Sequence, residues 1–246
     1  MREGIISSNL YSSCTFAPEN RDISRPLVNS LKASMLRNGF IKSKAISVKR
    51  VKKEFVVLDG QHRLVAAEEL GIHFWYKIDN IKKEIIPDLQ IAQKWLPKDY
   101  LKHYSVLGVP EYITLRTIHQ AQPKVSLTTL VNMLTIKTDA GFAQRNNFSD
   151  GKLKINYLDE TVRTLELVHQ LYTHYPNKFL FHRTFLVAFM HIIEIEGYDH
   201  KRMLEKLKYQ SEKFKQMITI KGYLEMFDSI YNYKSTDAKR IKFELK

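Results

Sequence analysis

The sequence is poor in cysteine, glycine and proline. Cys14 is its one cysteine, so neither an internal disulfide nor a cysteine-based metal site can form within one chain. Nine glycines and seven prolines in 246 residues are too few for a low-complexity chain. These shortages indicate a folded protein in a reducing compartment.

Long apolar runs are also missing. No stretch reaches the roughly 18 consecutive apolar residues of a membrane span, and the N-terminus, Met1–Gly4, lacks the apolar region of a secretory signal. We therefore expect a cytoplasmic protein with no membrane partner. The chain is 44% hydrophobic and 26% charged, as in soluble globular proteins. Its length allows one large domain or two small ones.

Positive charge is abundant. The chain carries 39 Lys and Arg against 26 Asp and Glu, a net charge of +13, which favours an anionic partner such as nucleic acid. The densest basic cluster has no acidic residue before Glu54; its members are Lys42, Lys44, Lys49, Arg50, Lys52 and Lys53. We predict salt-sensitive DNA binding through Lys49, Arg50, Lys52 and Lys53.

The first hundred residues alternate between helical and β-type patterns. A helix is predicted from Ser24, with Pro26 in its first turn, to Gly39, and its apolar residues are Leu27, Val28, Leu31, Met35 and Leu36. Two β-type runs at 45–48 and 54–58, joined by the basic connector 49–53, suggest a hairpin. A second helix ending at Gly71 and a third β-type run at 73–78 complete an α+β unit.

Helical periodicity dominates after about residue 87. Pro97 and Pro110 are suited to begin helices, and amphipathic patterns cover 158–172, 184–195, 203–218 and 223–231. We predict an α+β protein with a small domain at 1–85 and an all-helical domain at 86–246. Asp150-Gly151 suggests a hairpin or extended arm over 146–155, and residues 234–246 are expected to fray.

A DNA-binding role for the helical domain is a further hypothesis. Residues 125–134 predict a short helix capped by Ser126, and residues 138–141 predict a turn after it. This order is that of a helix-turn-helix, although the spacing differs from the usual one.

The segment Asp59–Arg63 lies where the second β-type run becomes a helix. Gly60 lets the backbone approach a ligand, and the first N–H groups of a helix favour an anion. Arg63 offers a planar fork that matches phosphate oxygens, and we expect it to be the strongest single determinant of nucleotide binding. We expect the contribution of His62 to grow as the pH falls toward 6. The alternative is an ordinary turn in which Arg63 pairs with Asp59 or Glu68.

Two boxes of the sequence resemble a known family. The first is Asn20-Arg21-x-Ile23-Ser24, and the second is Leu58-Asp59-Gly60-Gln61-His62-Arg63-Leu64-x-Ala66-Ala67 with Leu70-Gly71. Their order and spacing over about residues 1–80 resemble the N-terminal domain of ParB-type partition proteins, a superfamily that includes sulfiredoxin. The resemblance implies a ParB/sulfiredoxin-like fold that binds a nucleoside triphosphate, CTP or ATP, with Mg²⁺. The implied phosphate loop is Gly60, Gln61, His62 and Arg63, and Asn20 and Arg21 face it.

The chain departs from both branches of this superfamily. Val65 stands where partition proteins carry another arginine, so the choice between CTP and ATP stays open. Gln61 stands where sulfiredoxin has its catalytic cysteine, so sulfiredoxin chemistry is not expected.

The resemblance and the charge lead to two functional hypotheses. The first is a DNA-associated nucleotide-binding protein of the plasmid or phage partition or regulation type, with homodimerisation left open. The second is an enzyme on the same scaffold, an NTP hydrolase, a small-molecule kinase or a nuclease, in which Glu19, Asp22 or Asp59 is the metal ligand or the base. The nine histidines show no metal-ligand spacing, and we expect no bound structural metal.

Overall fold

The computed structural model describes residues 2–6, 8–79, 86, 95–139 and 141–244. The chain divides into two compact units, Met1–Ile113 and Thr114–Lys246. The boundary predicted at 85/86 falls inside the first unit, because Ile86 and Trp95 are buried against Ala17 and Leu58. The architecture is α+β, with one sheet and two helices near the N-terminus and a helical region after them.

Five strands form the sheet, in the order β1-β5-β3-β4-β2. Their bounds are β1 Arg2–Ile6, β2 Cys14–Phe16, β3 Ile46–Val51, β4 Glu54–Asp59 and β5 Phe74–Ile78. The predicted hairpin is confirmed as the antiparallel β3–β4 pair, whereas β5–β3 and β4–β2 are parallel and β1–β5 is antiparallel. The predicted basic connector is mostly strand, since β3 continues through Lys49 and Arg50 and the chain turns at Lys52 with φ 54°.

Two helices pack on this sheet, α1 Arg25–Asn38 and α2 Gln61–Leu70. The bounds of α1 confirm the predicted start after Ser24 and the stop at Gly39, whose N–H donates to the Met35 carbonyl at 2.8 Å. Val28 and Met35 enter the core, but Leu36 is 75% exposed, so the predicted apolar stripe is too wide. Glu69 joins the two helices on their outer side by accepting from Arg25 at 2.5 Å and Lys32 at 2.8 Å.

The remaining helices of the described chain follow in sequence order. They are α3 Pro97–Val106, α4 Pro110–Ala121, α5 Leu127–Thr135, α6 Arg145–Ser149, α7 Leu158–His174, α8 Arg183–Ile192, α9 His200–Gln210 and α10 Ile220–Tyr231. The starts at Pro97 and Pro110 are therefore confirmed. Aromatic side chains fill the core of the second unit; Phe179, Phe185, Phe189, Phe214, Tyr223 and Phe227 contact one another there.

Three expectations for the helical region are wrong. No hairpin forms around Asp150-Gly151, because Gly151, with φ 73°, ends α6 and Lys152 N–H donates back to the Asn147 carbonyl at 2.8 Å. The apolar stripe predicted for 158–172 includes Leu158 and Val162, but both side chains are exposed on α7. The C-terminal segment is held through residue 243, because Phe243 is buried against Tyr231.

The structure also contradicts the helix-turn-helix hypothesis. Eight residues of α5 are buried, so this helix has no open face for a DNA groove. The helix that follows the predicted turn, α6, has only five residues. Within the residues that the structure describes, no helix is long and apolar enough to cross a membrane.

Candidate functional site

Gly60 links the end of β4 to the start of α2. It adopts the left-handed conformation with φ 92° and ψ 16°, which residues other than glycine rarely tolerate. A Cβ atom at this position would lie 2.9 Å from Arg63 Nη2 and 3.2 Å from Ile46 Cγ1. The first helical bond of α2 runs from Leu64 N–H to the Gly60 carbonyl at 2.9 Å, so the three preceding amides have no acceptor within the helix.

A cleft of about 550 Å³ opens at this N-terminus of α2. Its lining is Arg21, Leu27, Leu31, Ser43, Lys44, Ala45, Ser47, Asp59, Gly60, Gln61, His62, Arg63 and Lys77. Arg21, Lys44, Arg63 and Lys77 are cationic, and Asp59 supplies the carboxylate of this lining. The walls therefore favour an anionic ligand.

Lys77 was missed by the sequence analysis. It lies on β5, where it pairs in register with Ser47 of β3, so its place in the cleft follows from the strand order. A register shift between Ser47 and Val48 distorts β3 beside the cleft. No local sequence signal marks Lys77, because the parallel β3–β5 pairing joins residues 30 positions apart.

Arg63 is held against the turn that it follows. Its Nη2 lies 2.8 Å from Asp59 Oδ2, and its Nη1 donates to the Lys44 carbonyl at 2.6 Å. Its side chain is 20% exposed. The pairing with Asp59 that the sequence left as an alternative is present, and Arg63 nevertheless remains part of the cleft wall.

Asn20 and Gln61 are buried and bind backbone groups. Asn20 Nδ2 donates to the Val57 carbonyl at 2.9 Å, and Gln61 Nε2 donates to the Arg21 carbonyl at 2.6 Å. Both residues are 2% exposed. Their side chains thus fasten the segment around Arg21 to β4 and α2, and a direct role for them at a nucleotide stays a prediction.

His62 accepts a hydrogen bond. Its Nε2 takes the Ser24 N–H at 2.9 Å, which joins α2 to the start of α1. Burial lowers the pKa of His62 to about 4 and nearby Arg21 adds to this, while a hydrogen bond to the Asp22 backbone and the charge of Asp59 oppose it. The imidazole is therefore neutral near pH 6, and the expected growth of its contribution toward that pH has no basis in this geometry.

Arg21 lies in the cleft wall and is half-buried. Burial lowers the pKa of its guanidinium, and the carboxylates of Asp99 and Asp59 raise it again. An arginine keeps its charge in proteins. Arg21 is thus a fixed positive charge at the cleft.

The three carboxylates proposed for catalysis have different surroundings. Glu19 is 4% exposed, and its carbonyl contacts His103 Nδ1 at 3.1 Å. The Asp22 side chain is 74% exposed and pairs with Lys102 at 2.6 Å, whereas Asp59 pairs with Arg63. Across the described ranges, no group of three or more His, Cys, Asp or Glu side chains is placed to hold a metal ion.

The predicted DNA-binding residues lie at the other end of the hairpin. Lys49, Arg50, Lys52 and Lys53 are exposed around the β3–β4 turn, which we call the hairpin tip. Gly60 follows the opposite end of β4, six residues or about 20 Å from the turn at Lys52 and Lys53, whereas Lys49, opposite Val56, is only two residues from Ser47 of the cleft lining. Lys42 and Lys44 precede β3 at the cleft end, so the basic cluster of the sequence divides into two separate basic regions.

A comparison with solved structures finds a likeness in fold. No protein-family model and no curated protein matches the chain. A solved structure described as "Structure of the C2221 form of Pnob8-like ParB-N domain" is 12% identical to it, with 97% of this chain and 94% of that chain covered and a TM-score of 0.35.

We predict that Gly60→Ala destabilises the protein by about 2–5 kcal/mol. The alanine must adopt a left-handed conformation, which costs about 1–2 kcal/mol, and must also displace Arg63, which costs about 1–3 kcal/mol. Gly71→Ala is the matched control at the other end of α2, because Gly71 has φ 64° but nothing within 4 Å of the place that an alanine methyl group would take. It should cost about 1–2 kcal/mol. Urea denaturation measures both losses, and equal losses would contradict a steric role for Arg63.

We predict that His62 makes stability depend on pH. Its pKa is lowered from about 6.5 in the unfolded chain to about 4, so its contribution is complete above pH 6.5 and is lost as the pH falls toward 4. The loss should amount to at most about 3 kcal/mol, since water that reaches the ring reduces it. His62→Gln keeps an acceptor but cannot titrate, and should flatten the free energy of unfolding between pH 4 and 6.5. An unchanged slope in this variant would assign the dependence elsewhere, for example to His200, whose pKa burial also lowers to about 4.

Proposed function

We propose that the cleft at the N-terminus of α2 binds the phosphates of a nucleoside triphosphate. The observation that carries this proposal is the lining of the cleft, which has four cationic side chains and one carboxylate: Arg63 pairs with that carboxylate, Asp59, and Lys77 pairs with Asp79 outside the lining, which leaves a surplus of positive charge. The unpaired amides and the dipole of α2 add to the same preference. A volume of about 550 Å³ lies within the range of small-molecule and cofactor sites.

The roles of the cleft residues follow from their contacts. The backbone amides of Gln61, His62 and Arg63 are the proposed phosphate cradle. Lys44 is the proposed mobile donor, whereas Lys77, which pairs with Asp79 at 3.2 Å, and Arg21 are proposed as fixed charges. Arg63 contributes one face of its guanidinium while its other contacts hold the turn in place.

The family resemblance extends this proposal to DNA. The two boxes between Asn20 and Gly71 support a ParB-like, DNA-associated protein of the plasmid or phage partition or regulation type. The net charge of +13 and the exposed basic residues of the hairpin tip support an interaction with the DNA backbone. In this proposal nucleotide occupancy of the cleft regulates DNA engagement.

Magnesium is part of the proposal only through the nucleotide. Mg²⁺ is usually held by one or two carboxylates together with substrate phosphates. Asp59 is the carboxylate of the described lining, and Arg63 already occupies its Oδ2. The lining thus offers no free carboxylate pair, and Mg²⁺ would be carried by the phosphates. The separate surroundings of Glu19, Asp22 and Asp59 favour binding over hydrolysis as the proposed function.

We predict that a nucleoside triphosphate raises the melting temperature and that cleft lysines determine its affinity. A thermal-shift screen of the four ribonucleoside triphosphates with Mg²⁺ identifies the preferred base, because a ligand of the folded state stabilises it. Lys44→Gln removes a charge without breaking an ion pair that the structure records, and should weaken affinity roughly tenfold. Titration calorimetry measures the dissociation constant.

Controls separate binding from folding. Lys53→Gln removes the same charge from the hairpin tip and should leave nucleotide affinity unchanged. Arg63→Ala should lower both affinity and melting temperature, since it also frees Asp59. The assignment of the cleft would be refuted if none of the four nucleotides gave a thermal shift, or if a nucleotide that binds had equal affinity for the parent and Lys44→Gln.

We predict that the hairpin tip contributes to DNA affinity without sequence preference. Reversing two charges, Lys49→Glu with Lys53→Glu, should lower the salt dependence of binding, with the slope of log affinity against log salt falling by about two. The matched control reverses two exposed charges elsewhere in the first unit, Arg37→Glu with Lys98→Glu. Mobility-shift titrations between 50 and 200 mM salt, roughly the range over which such effects are large, compare the variants. Equal slopes in the two double variants would remove the hairpin tip from the interface.

A further inference from the structure

Two cations of α9 converge on one hydroxyl oxygen in the second unit. Arg202 and Lys206 are four residues apart and so share a face of the helix. Arg202 Nη2 lies 2.9 Å from Ser235 Oγ, and Lys206 Nζ lies 3.3 Å from the same atom. Lys206 also donates to the Tyr233 carbonyl. The acceptors of both charges are therefore neutral.

A countercharge is missing from this arrangement. Among residues 114–139 and 141–244, no Asp or Glu forms an ion pair with Arg202 or Lys206. The acidic residue that follows Ser235 most closely, Asp237, pairs instead with Arg240 at 3.7 Å. Like charges four residues apart on a helix repel, so the free protein keeps an unfavourable pair that an anion between them would neutralise.

The two cations are held in place before any ligand arrives. The Arg202 guanidinium stacks on the ring of Tyr231, with its carbon 4.2 Å from the ring centre, and Tyr231 is fully buried. Lys234 adopts a left-handed conformation with φ 49°, and its two neighbours, Tyr233 through its carbonyl and Ser235 through its hydroxyl, both contact the Lys206 ammonium. Fixed donors lose less entropy on binding than mobile surface side chains.

We propose that Arg202, Lys206 and Ser235 form a binding site for a phosphate oxyanion. The Arg202 guanidinium, the Lys206 ammonium and the Ser235 hydroxyl are three kinds of group that donate hydrogen bonds to phosphate oxygens. Residues 200–244 carry 11 Lys and Arg against 6 Asp and Glu, so the surrounding chain also attracts anions. This site belongs to the second unit and shares no residue with the cleft.

The experiment follows backbone amide signals by NMR while inorganic phosphate replaces chloride at constant ionic strength. Amides of residues 202–206 and 233–236 should shift and saturate. In the double variant Arg202→Gln with Lys206→Gln, the affinity reported by these amides should fall at least roughly tenfold. The control Lys201→Gln with Lys208→Gln removes two exposed charges from the same helix and should bind as the parent does.

A second variant distinguishes a lost site from a misfolded protein. Ser235→Glu places a carboxylate between the two cations, so it should raise the melting temperature in chloride and abolish the phosphate response of residues 202–206. Absence of saturation in the parent, or equal phosphate affinity in the parent and the Arg202/Lys206 double variant, would overturn the proposal. Neither result bears on nucleotide binding in the cleft, which is tested by the effect of Lys44→Gln on nucleotide affinity.

The same amides identify the source of the phosphate. A short DNA duplex that shifts residues 202–206 and 233–236 identifies a nucleic-acid backbone, and the Arg202/Lys206 double variant should then lower the salt slope by about one relative to its control. If DNA leaves these signals unchanged while inorganic phosphate saturates them, the ligand is a small phosphorylated molecule. Both results support an oxyanion site.

Discussion

The ion pair between Asp59 and Arg63 is the interaction on which the cleft depends. Asp59 ends β4 and Arg63 lies in the first turn of α2, so the ion pair joins the strand to the helix on either side of Gly60. A second bond from Arg63 reaches the Lys44 carbonyl and fixes the segment before β3. The glycine, the ion pair and the cleft wall therefore form one arrangement, because a side chain at position 60 would occupy the space of the guanidinium.

Buried polar side chains complete the frame without any ligand. Asn20, Gln61 and His62 each bind a backbone group, and together they join the loop before α1 to β4 and α2. A hydrogen-bonded frame of this kind stays rigid in the empty protein, which lowers the cost of ordering on binding. These three residues therefore set the geometry of the site, while lysine side chains and backbone amides remain available to bind the ligand.

The features that could be predicted from sequence are those with local causes. The start of α1 after Ser24 and the helix stops at Gly39 and Gly71 depend on neighbouring residues alone. A different local signal, the Asp-Gly hairpin turn, failed at Gly151, because a left-handed glycine occurs at a helix end as well as in a hairpin, and only the surrounding packing decides between them. The strands β1 and β2 were missed since they take their partners from distant parts of the chain.

The candidate site shows the same limit. The turn at Gly60 was recognisable, but Lys77 enters the cleft through the parallel pairing of β5 with β3, and His62 lost its expected charge through burial. Burial and strand order are properties of the assembled unit. Arg202, Lys206 and Ser235 likewise come together only because the chain after α10 returns to α9.

The β3–β4 hairpin has a consequence for communication between its two ends. Lys52 and Lys53 at the turn of the hairpin lie about 20 Å from Gly60, whereas mobile ions at physiological ionic strength screen charges beyond about 8 Å. A ligand's charge in the cleft is thus hardly felt by a polyanion at the tip. Any signal between them has to be mechanical, transmitted as a displacement of the strands, and the irregular register at Ser47 is the place where β3 departs from a regular ladder.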